Sequence, residues 1–188
     1  MTAPLRVGVF GAGSIGCYVG GRLLAAAAAD VVLVGRPRIE RAVAARGLTV
    51  QDFDGPTAVV APAQVTFATA TNALAECDVV LCCVKSPHTE DAARDLASVL
   101  GPDAMVVSLQ NGVRNPDTLR GHLGTRPVVA SIVSWNVIAV EGVYRRATSG
   151  PLVIERHGDP RFAPLVAALT ASAIPVVVPA DLPDRVTA

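Results

Sequence analysis

A doubly wound α/β sheet with mostly parallel strands is predicted by three observations. The apolar run at residues 5–10 (LRVGVF) passes at once into a glycine-rich hexapeptide, apolar β-branched runs then alternate with helical stretches as far as Val133, and beyond Ser134 the periodicity changes to a series of short alternating runs. Strands buried on both faces read as continuous apolar runs, and parallel neighbours need a crossover, usually a helix.

Taken in order, the Ala-rich stretch from Ser14 to about Ala29 predicts the first helix, because Ala has the highest helix propensity, and Asp30 marks its end. Residues 31–34 form the second strand, completing a βαβ unit. A short helix over 39–46 is closed by Gly47. Residues 48–60 alternate weakly around Asp54-Gly55 and predict a hairpin or extended excursion. Strands are expected at 65–68, 79–84, 105–109 and 128–133. Thr89 is a candidate N-cap for a helix reaching Leu100, and Asn115 for a helix to Leu123 with Pro116 at its first position. The runs at 137–140, 143–148 and 152–154 are separated by Glu141-Gly142 and Gly150-Pro151 and suggest antiparallel strands at a sheet edge. A helix over 162–173 and a last strand over 175–178 complete the expected domain at about residue 180.

Composition removes several classes of function. The 188 residues are 51% hydrophobic and balance 16 basic against 16 acidic side chains, which disfavours disorder and a nucleic-acid or anionic-membrane surface. No apolar segment is long enough to span a bilayer without a charge, Gly or Pro, and no signal pattern opens the chain, so a cytoplasmic protein is expected. Cys17, Cys77, Cys82 and Cys83 lack C-x-x-C spacing, and His88, His122 and His157 stand far apart, so no metal site is expected. Fifteen of the basic residues are Arg; Lys85 alone is Lys.

Gly11-Ala12-Gly13-Ser14-Ile15-Gly16 fits G-x-G-x-x-G where its mechanism requires, after a strand and opening a helix. The first glycine permits the turn, the second lets a pyrophosphate approach the backbone, and the third lets helix and strand pack closely, with free amides of the helix start facing the phosphates. This is the Rossmann-type arrangement. At the end of the second strand, where an acid would bind the ribose of NAD, stands Val34-Gly35-Arg36-Pro37-Arg38. A guanidinium binds a 2′-phosphate in bidentate fashion, so Arg36, supported by Arg38, points to NADP(H); the competing reading is a solvated surface arginine.

Three further segments carry a resemblance: Val84-Lys85-Ser86, Ser108-Leu109-Gln110-Asn111-Gly112-Val113, and Gly142-Val143. With the glycine loop and Gly35-Arg36, their order resembles the N-terminal domain of the ketopantoate reductases (2-dehydropantoate 2-reductases) from about Arg6 to Asp181. By spacing alone Asn111 is an Asn-Gly turn residue or an amide that both donates and accepts toward a ligand, and Lys85 is an exposed strand-end cation or a ligand contact. The resemblance favours ligand roles, with Lys85 and Asn111 contacting the cofactor and Asn111 also the substrate.

The resemblance implies hydride transfer from NADPH to 2-dehydropantoate, a 2-oxo acid, giving pantoate for pantothenate and coenzyme A biosynthesis. It also implies a helical C-terminal domain that supplies the general-acid lysine and most substrate contacts. Residues 181–188 resemble the lead into that domain, and the chain stops there. No catalytic residue is therefore assigned here. The expectation is a chain that binds NADPH and turns over weakly or not at all, with a homodimer or a separate helical domain as partner. The alternatives are a non-catalytic NADP(H)-binding regulatory module and a reductase of another 2-oxo acid.

Overall fold

The computed structural model describes residues 4–112 and 114–180; Val113 and the expected linker at 181–188 lie outside the described residues. In chain order the elements are β1 (Arg6–Phe10), α1 (Ser14–Ala25), β2 (Asp30–Val34), α2 (Pro37–Arg46), β3 (Leu48–Gln51), β4 (Thr57–Val60), β5 (Thr66–Ala68), β6 (Val79–Cys82), α3 (Thr89–Val99), β7 (Met105–Ser108) and α4 (Asn115–Leu123). They continue with β8 (Val128–Val133), β9 (Val137–Val140), β10 (Val143–Arg146), β11 (Leu152–Ile154), α5 (Phe162–Ala171) and β12 (Val176–Val177).

The main sheet runs β12-β11-β8-β7-β6-β1-β2-β5. From β5 to β8 all neighbours are parallel, in the doubly wound order 3-2-1-4-5-6. β11 is antiparallel to β8 and carries β12 parallel to itself on the outer side. Alternate residues of the central strands feed two cores. Val79, Leu81, Met105 and Val107 face one with α1 and α5, while Val80, Cys82 and Val106 face the other with Leu96 of α3 and Leu119 of α4. All eight residues of β6 and β7 are buried, which is why all but Ser108, at the end of β7, are apolar.

A second sheet, β4-β3-β10-β9, packs on the far side of α1. The expected hairpin at 48–60 is its β3–β4 pair. The strands β9 and β10, expected at the edge of the main sheet, belong instead to this small sheet, where β10 pairs in parallel with β3 (Val143 with Thr49). Of the three runs expected as antiparallel strands, β11 alone joins the main sheet. Alternation signals a half-buried strand but carries no information on which sheet receives it.

Helix α1 is thus covered on both sides, and its residues from Gly16 to Leu23 are all buried. Close approach explains its glycines: a Cβ at Gly20 would stand 2.5 Å from Leu33 Cδ2 of the main sheet, and one at Gly21 2.6 Å from Val50 Cγ1 of the small sheet. The helix stops at Ala25, four residues before the expected end. Ala27 takes a left-handed φ of 48°, with Ala27 N–H donating to the Leu24 carbonyl and Ala28 N–H to that of Leu23, a Schellman closure in which Ala fills the glycine position. The turn is forced because the Asp30 amide must reach the Leu5 carbonyl to start β2 beside β1.

Two expected caps also differ. Thr89 and Asn115 are the first residues of α3 and α4, after His88 and Arg114, because their side chains are taken up in buried tertiary hydrogen bonds.

Between α1 and the small sheet lies a buried polar cluster. The Asp52 carboxylate accepts from Arg146 Nε, the Tyr18 hydroxyl at 3.3 Å and the Phe53 amide at 2.8 Å, with Arg22 Nη2 at 4.0 Å. Arg22 Nε donates to the Ser172 carbonyl at 2.9 Å, tying the end of α5 to α1. Trp135 packs edge-on against Tyr18, ring centroids 5.3 Å apart.

Removing Asp52 would leave two buried guanidinium groups without a carboxylate. Asp52→Ala is expected to cost about 3–5 kcal/mol, read by urea unfolding through Trp135 fluorescence; a loss below about 1 kcal/mol would show that the cluster is effectively solvated. Burial also pushes the Cys17 and Cys77 thiols up to about 11 and that of Cys82 up to about 12, from an ordinary value of 9.0. The fold favours the neutral thiols, so their contribution is complete below pH 9 and is lost as pH rises through 11 to 12. Unfolding free energy measured across that window is expected to fall; a rise would contradict the assignment.

Candidate functional site

β1 and β6 are neighbours in the sheet, yet the crossovers leaving them cover opposite faces, so a crevice opens between their carboxyl ends. Two adjoining cavities occupy it. The larger, about 520 Å³, is bordered by residues 11–14, by Arg36 and Arg38, and by Lys85 and His88. The smaller, about 310 Å³, is bordered by Ile15, Ser86, Gln110 and Asn111. Cys83, Val84 and Lys85 line both and form the wall between them.

The glycine loop divides its roles by sterics. Gly11 has φ of +94°, and a Cβ there would lie 2.7 Å from the Val84 amide nitrogen, so the turn out of β1 and the approach of the β6 loop both require glycine. A Cβ at Gly16 would lie 2.6 Å from the Gly11 carbonyl oxygen, which fixes how closely α1 sits on β1. At Gly13 a Cβ would meet nothing nearer than 4.0 Å, so the backbone faces open space.

The amides are not all available. Those of Gly11 and Ala12 donate to the Val34 carbonyl and that of Gly13 to the Gly11 carbonyl, at 2.7–3.0 Å. The free donors are the Ser14, Ile15 and Gly16 amides, which make no bond to the described residues.

Arg36 and Arg38 are exposed on the opposite wall, and neither guanidinium is engaged by a described residue. Pro37 opens α2 directly after Arg36, whose carbonyl accepts from the Ile39 and Glu40 amides, so the backbone carrying the arginine is fixed while its side chain is free. Lys85 and Asn111 are exposed and meet at the smaller cavity. The structure therefore gathers the residues singled out in the sequence into one crevice, Ser14 and Arg36 on the larger chamber, Ile15 and Asn111 on the smaller, and Lys85 between them. Gly16 does not line either chamber; it packs α1 against β1.

Several lining residues carried no signal of their own in the sequence. His88 and Asp95 both border the larger cavity; His88 directly precedes α3 and Asp95 stands on it seven residues later. Asp95 is the one acid bordering the chamber among the described residues, and it stands on the α3 side rather than after β2. Gln110 is 4% exposed and donates from Nε2 to the Val84 carbonyl at 2.9 Å, tying the loop after β7 to the loop after β6. Burial holds the Cys83 thiol well above its usual value, so sulfur at the partition remains neutral.

Comparison with known proteins bears on this geometry. The chain is 35% identical over 185 residues to the 2-dehydropantoate 2-reductase of Halobacterium salinarum, covering 96% of this chain and 59% of that protein. It is 34% identical over 139 residues to the protein of the same name from Pyrococcus horikoshii, covering 74% and 43%. The chain thus aligns with about half the length of these curated relatives. The crystal structure of a PanE/ApbA family ketopantoate reductase from Ralstonia eutropha JMP134 superposes with a TM-score of 0.82 at 36% identity, covering 95% of this chain and 57% of that one. The family model described as ketopantoate reductase PanE/ApbA matches residues 7–159, most of the chain, and the glycine loop, Lys85 and Asn111 all fall within the match. On that match, and on the fold shared with the Ralstonia structure, the chain belongs to the ketopantoate reductase PanE/ApbA family.

Proposed function

We propose that this chain binds NADP(H) across the crevice and serves the reduction of 2-dehydropantoate, a 2-oxo acid, to pantoate. The observation that carries this reading is the larger cavity itself: unbonded amides at the start of α1 on one wall, unengaged guanidinium groups on the other. The first suit a pyrophosphate, which needs donors and a close backbone, and Gly13 leaves that approach clear. The second suit a 2′-phosphate, which Arg36 would hold in bidentate fashion with Arg38 beside it. The names of the Halobacterium and Pyrococcus relatives support the substrate.

The coenzyme, when bound, supplies the hydride. This chain's residues bind and orient. The nicotinamide half and the keto acid belong in the smaller cavity, where the Asn111 carboxamide can donate to one ligand and accept from another. Lys85, at the partition, offers a cation to a phosphate on one side or to a substrate carboxylate on the other. The ketone oxygen gains negative charge as hydride arrives and then a proton, and donors held at that position favour the change. We assign Lys85 to binding rather than to proton transfer.

Two outcomes test the reading. Arg36→Ala is expected to weaken NADPH binding by about 1.5–3 kcal/mol while leaving NADH nearly unchanged, measured by calorimetry; equal losses for both would reject the 2′-phosphate contact. The purified 188-residue chain is expected to bind NADPH but to oxidise it only slowly with 2-dehydropantoate. Rapid turnover would show that these residues suffice for the proton transfer, and Lys85→Ala would then decide whether Lys85 takes part in it.

A further inference from the structure

A chain of polar side chains runs behind the smaller cavity, and its donors all point one way. Ser108 Oγ donates to Gln110 Oε1 at 3.1 Å, and Gln110 Nε2 donates to Thr89 Oγ1 at 2.7 Å. The single Thr89 hydroxyl proton faces two acceptors, Asn115 Oδ1 at 3.1 Å and the Ser86 carbonyl at 2.9 Å. Asn115 Nδ2 donates to Ser86 Oγ at 3.0 Å, and Ser86 Oγ donates to the Asn111 carbonyl at 3.0 Å. Gln110, Thr89 and Asn115 are 4%, 2% and 6% exposed, so the links from Ser108 to Asn115 are closed to water, while the last link, from Ser86 to the Asn111 carbonyl, lies at the surface. Gly112 fits against the chain because a Cβ there would lie 2.8 Å from Asn115 Nδ2.

Hydrogen bonds in series polarise one another, and in a dry setting a fully satisfied series resists being opened at any link. This one begins at β7, passes through the first residues of α3 and α4, and ends on the main chain of Asn111. It occupies the Asn111 carbonyl but not its carboxamide. Neither that group nor the Lys85 ammonium is bonded to a described residue, and both border the smaller cavity.

We propose that Thr89 is a positioning residue. Midway along the series, its hydroxyl fixes residues 84–86 against residues 110–111 and so sets the spacing of Lys85 and Asn111 around the nicotinamide half and the keto acid. The inference rests on the coenzyme reading above. It predicts selectivity, because the series touches neither the glycine loop nor the arginine wall that hold the adenosine half.

Thr89→Val removes the hydroxyl at nearly constant shape, and Thr89→Ser keeps it. In the unliganded chain, Thr89→Val is expected to speed hydrogen exchange at the His88 and Leu109 amides, which donate to the Lys85 and Cys82 carbonyls, by about tenfold, with Thr89→Ser near wild type. Unchanged exchange overturns the proposal. In calorimetry, Thr89→Val is expected to weaken NADPH about tenfold and adenosine 2′,5′-bisphosphate by less than about twofold, with Thr89→Ser restoring NADPH binding. Equal losses for the two ligands would mean general loosening and overturn it as well. A wild-type chain that binds neither ligand defeats the coenzyme reading, and the exchange result alone then decides the role of Thr89. Should Thr89→Val not fold, Ser86→Ala cuts only the exposed last links; it is expected to show the same selectivity, and its absence counts against the proposal.

Discussion

Helix α1 has no solvent face along most of its length, and much of the structure follows from that confinement. A helix held between two sheets must bring small residues to both, and Gly16 and Gly20 toward the main sheet with Gly21 toward the small sheet provide the room. The depth to which Gly16 lets α1 settle on β1 determines where the Ser14 and Ile15 amides emerge. The phosphate-facing donors are therefore positioned by packing at some distance from any ligand. The same confinement accounts for buried charge. Arg22 sits on α1 with no route to water, so its guanidinium is met by carbonyls and by Asp52, which in turn accepts from Tyr18 of the helix and from Arg146 of the small sheet.

The two halves of the crevice rest on different kinds of support. The larger chamber is shaped mainly by backbone: a glycine turn, free helix amides, and an arginine whose backbone Pro37 and the start of α2 fix. The smaller chamber is shaped by side chains in series, from Ser108 to Ser86, and the groups facing its interior are those the series leaves unbonded. Backbone-built sites tolerate substitution of their neighbours; a site built from linked side chains transmits a change at one link to the rest.

Much of the parallel core was readable because its cause is local. Residues of β6 and β7 are apolar at every position but Ser108 since both faces are covered, and the glycine hexapeptide has few other uses between a strand and a helix. The misses are tertiary in origin. Nothing in the Ala run marks Ala27 as the turning point; the demand comes from Asp30 having to meet Leu5. Thr89 and Asn115 look like caps because their side chains suit that task, and only the packed structure shows both engaged with Gln110 and Ser86 instead. At the site, Arg36, Lys85 and Asn111 could be named because each ends or follows a strand. Gln110 was visible within a motif, but its bond to Val84 spans 26 residues and leaves no local trace.

The parallel pairing of β3 with β10 has a consequence for how the chain assembles. Thr49 must wait for Val143, so the early hairpin has no partner on that edge until most of the polypeptide exists. Closing so long a loop is entropically costly and comes late. During synthesis, α1 can settle on the first parallel strands while the part of its outer side that β9 and β10 cover stays bare. That interval, with one edge of β3 unpaired, is where premature contacts between nascent chains would be most damaging.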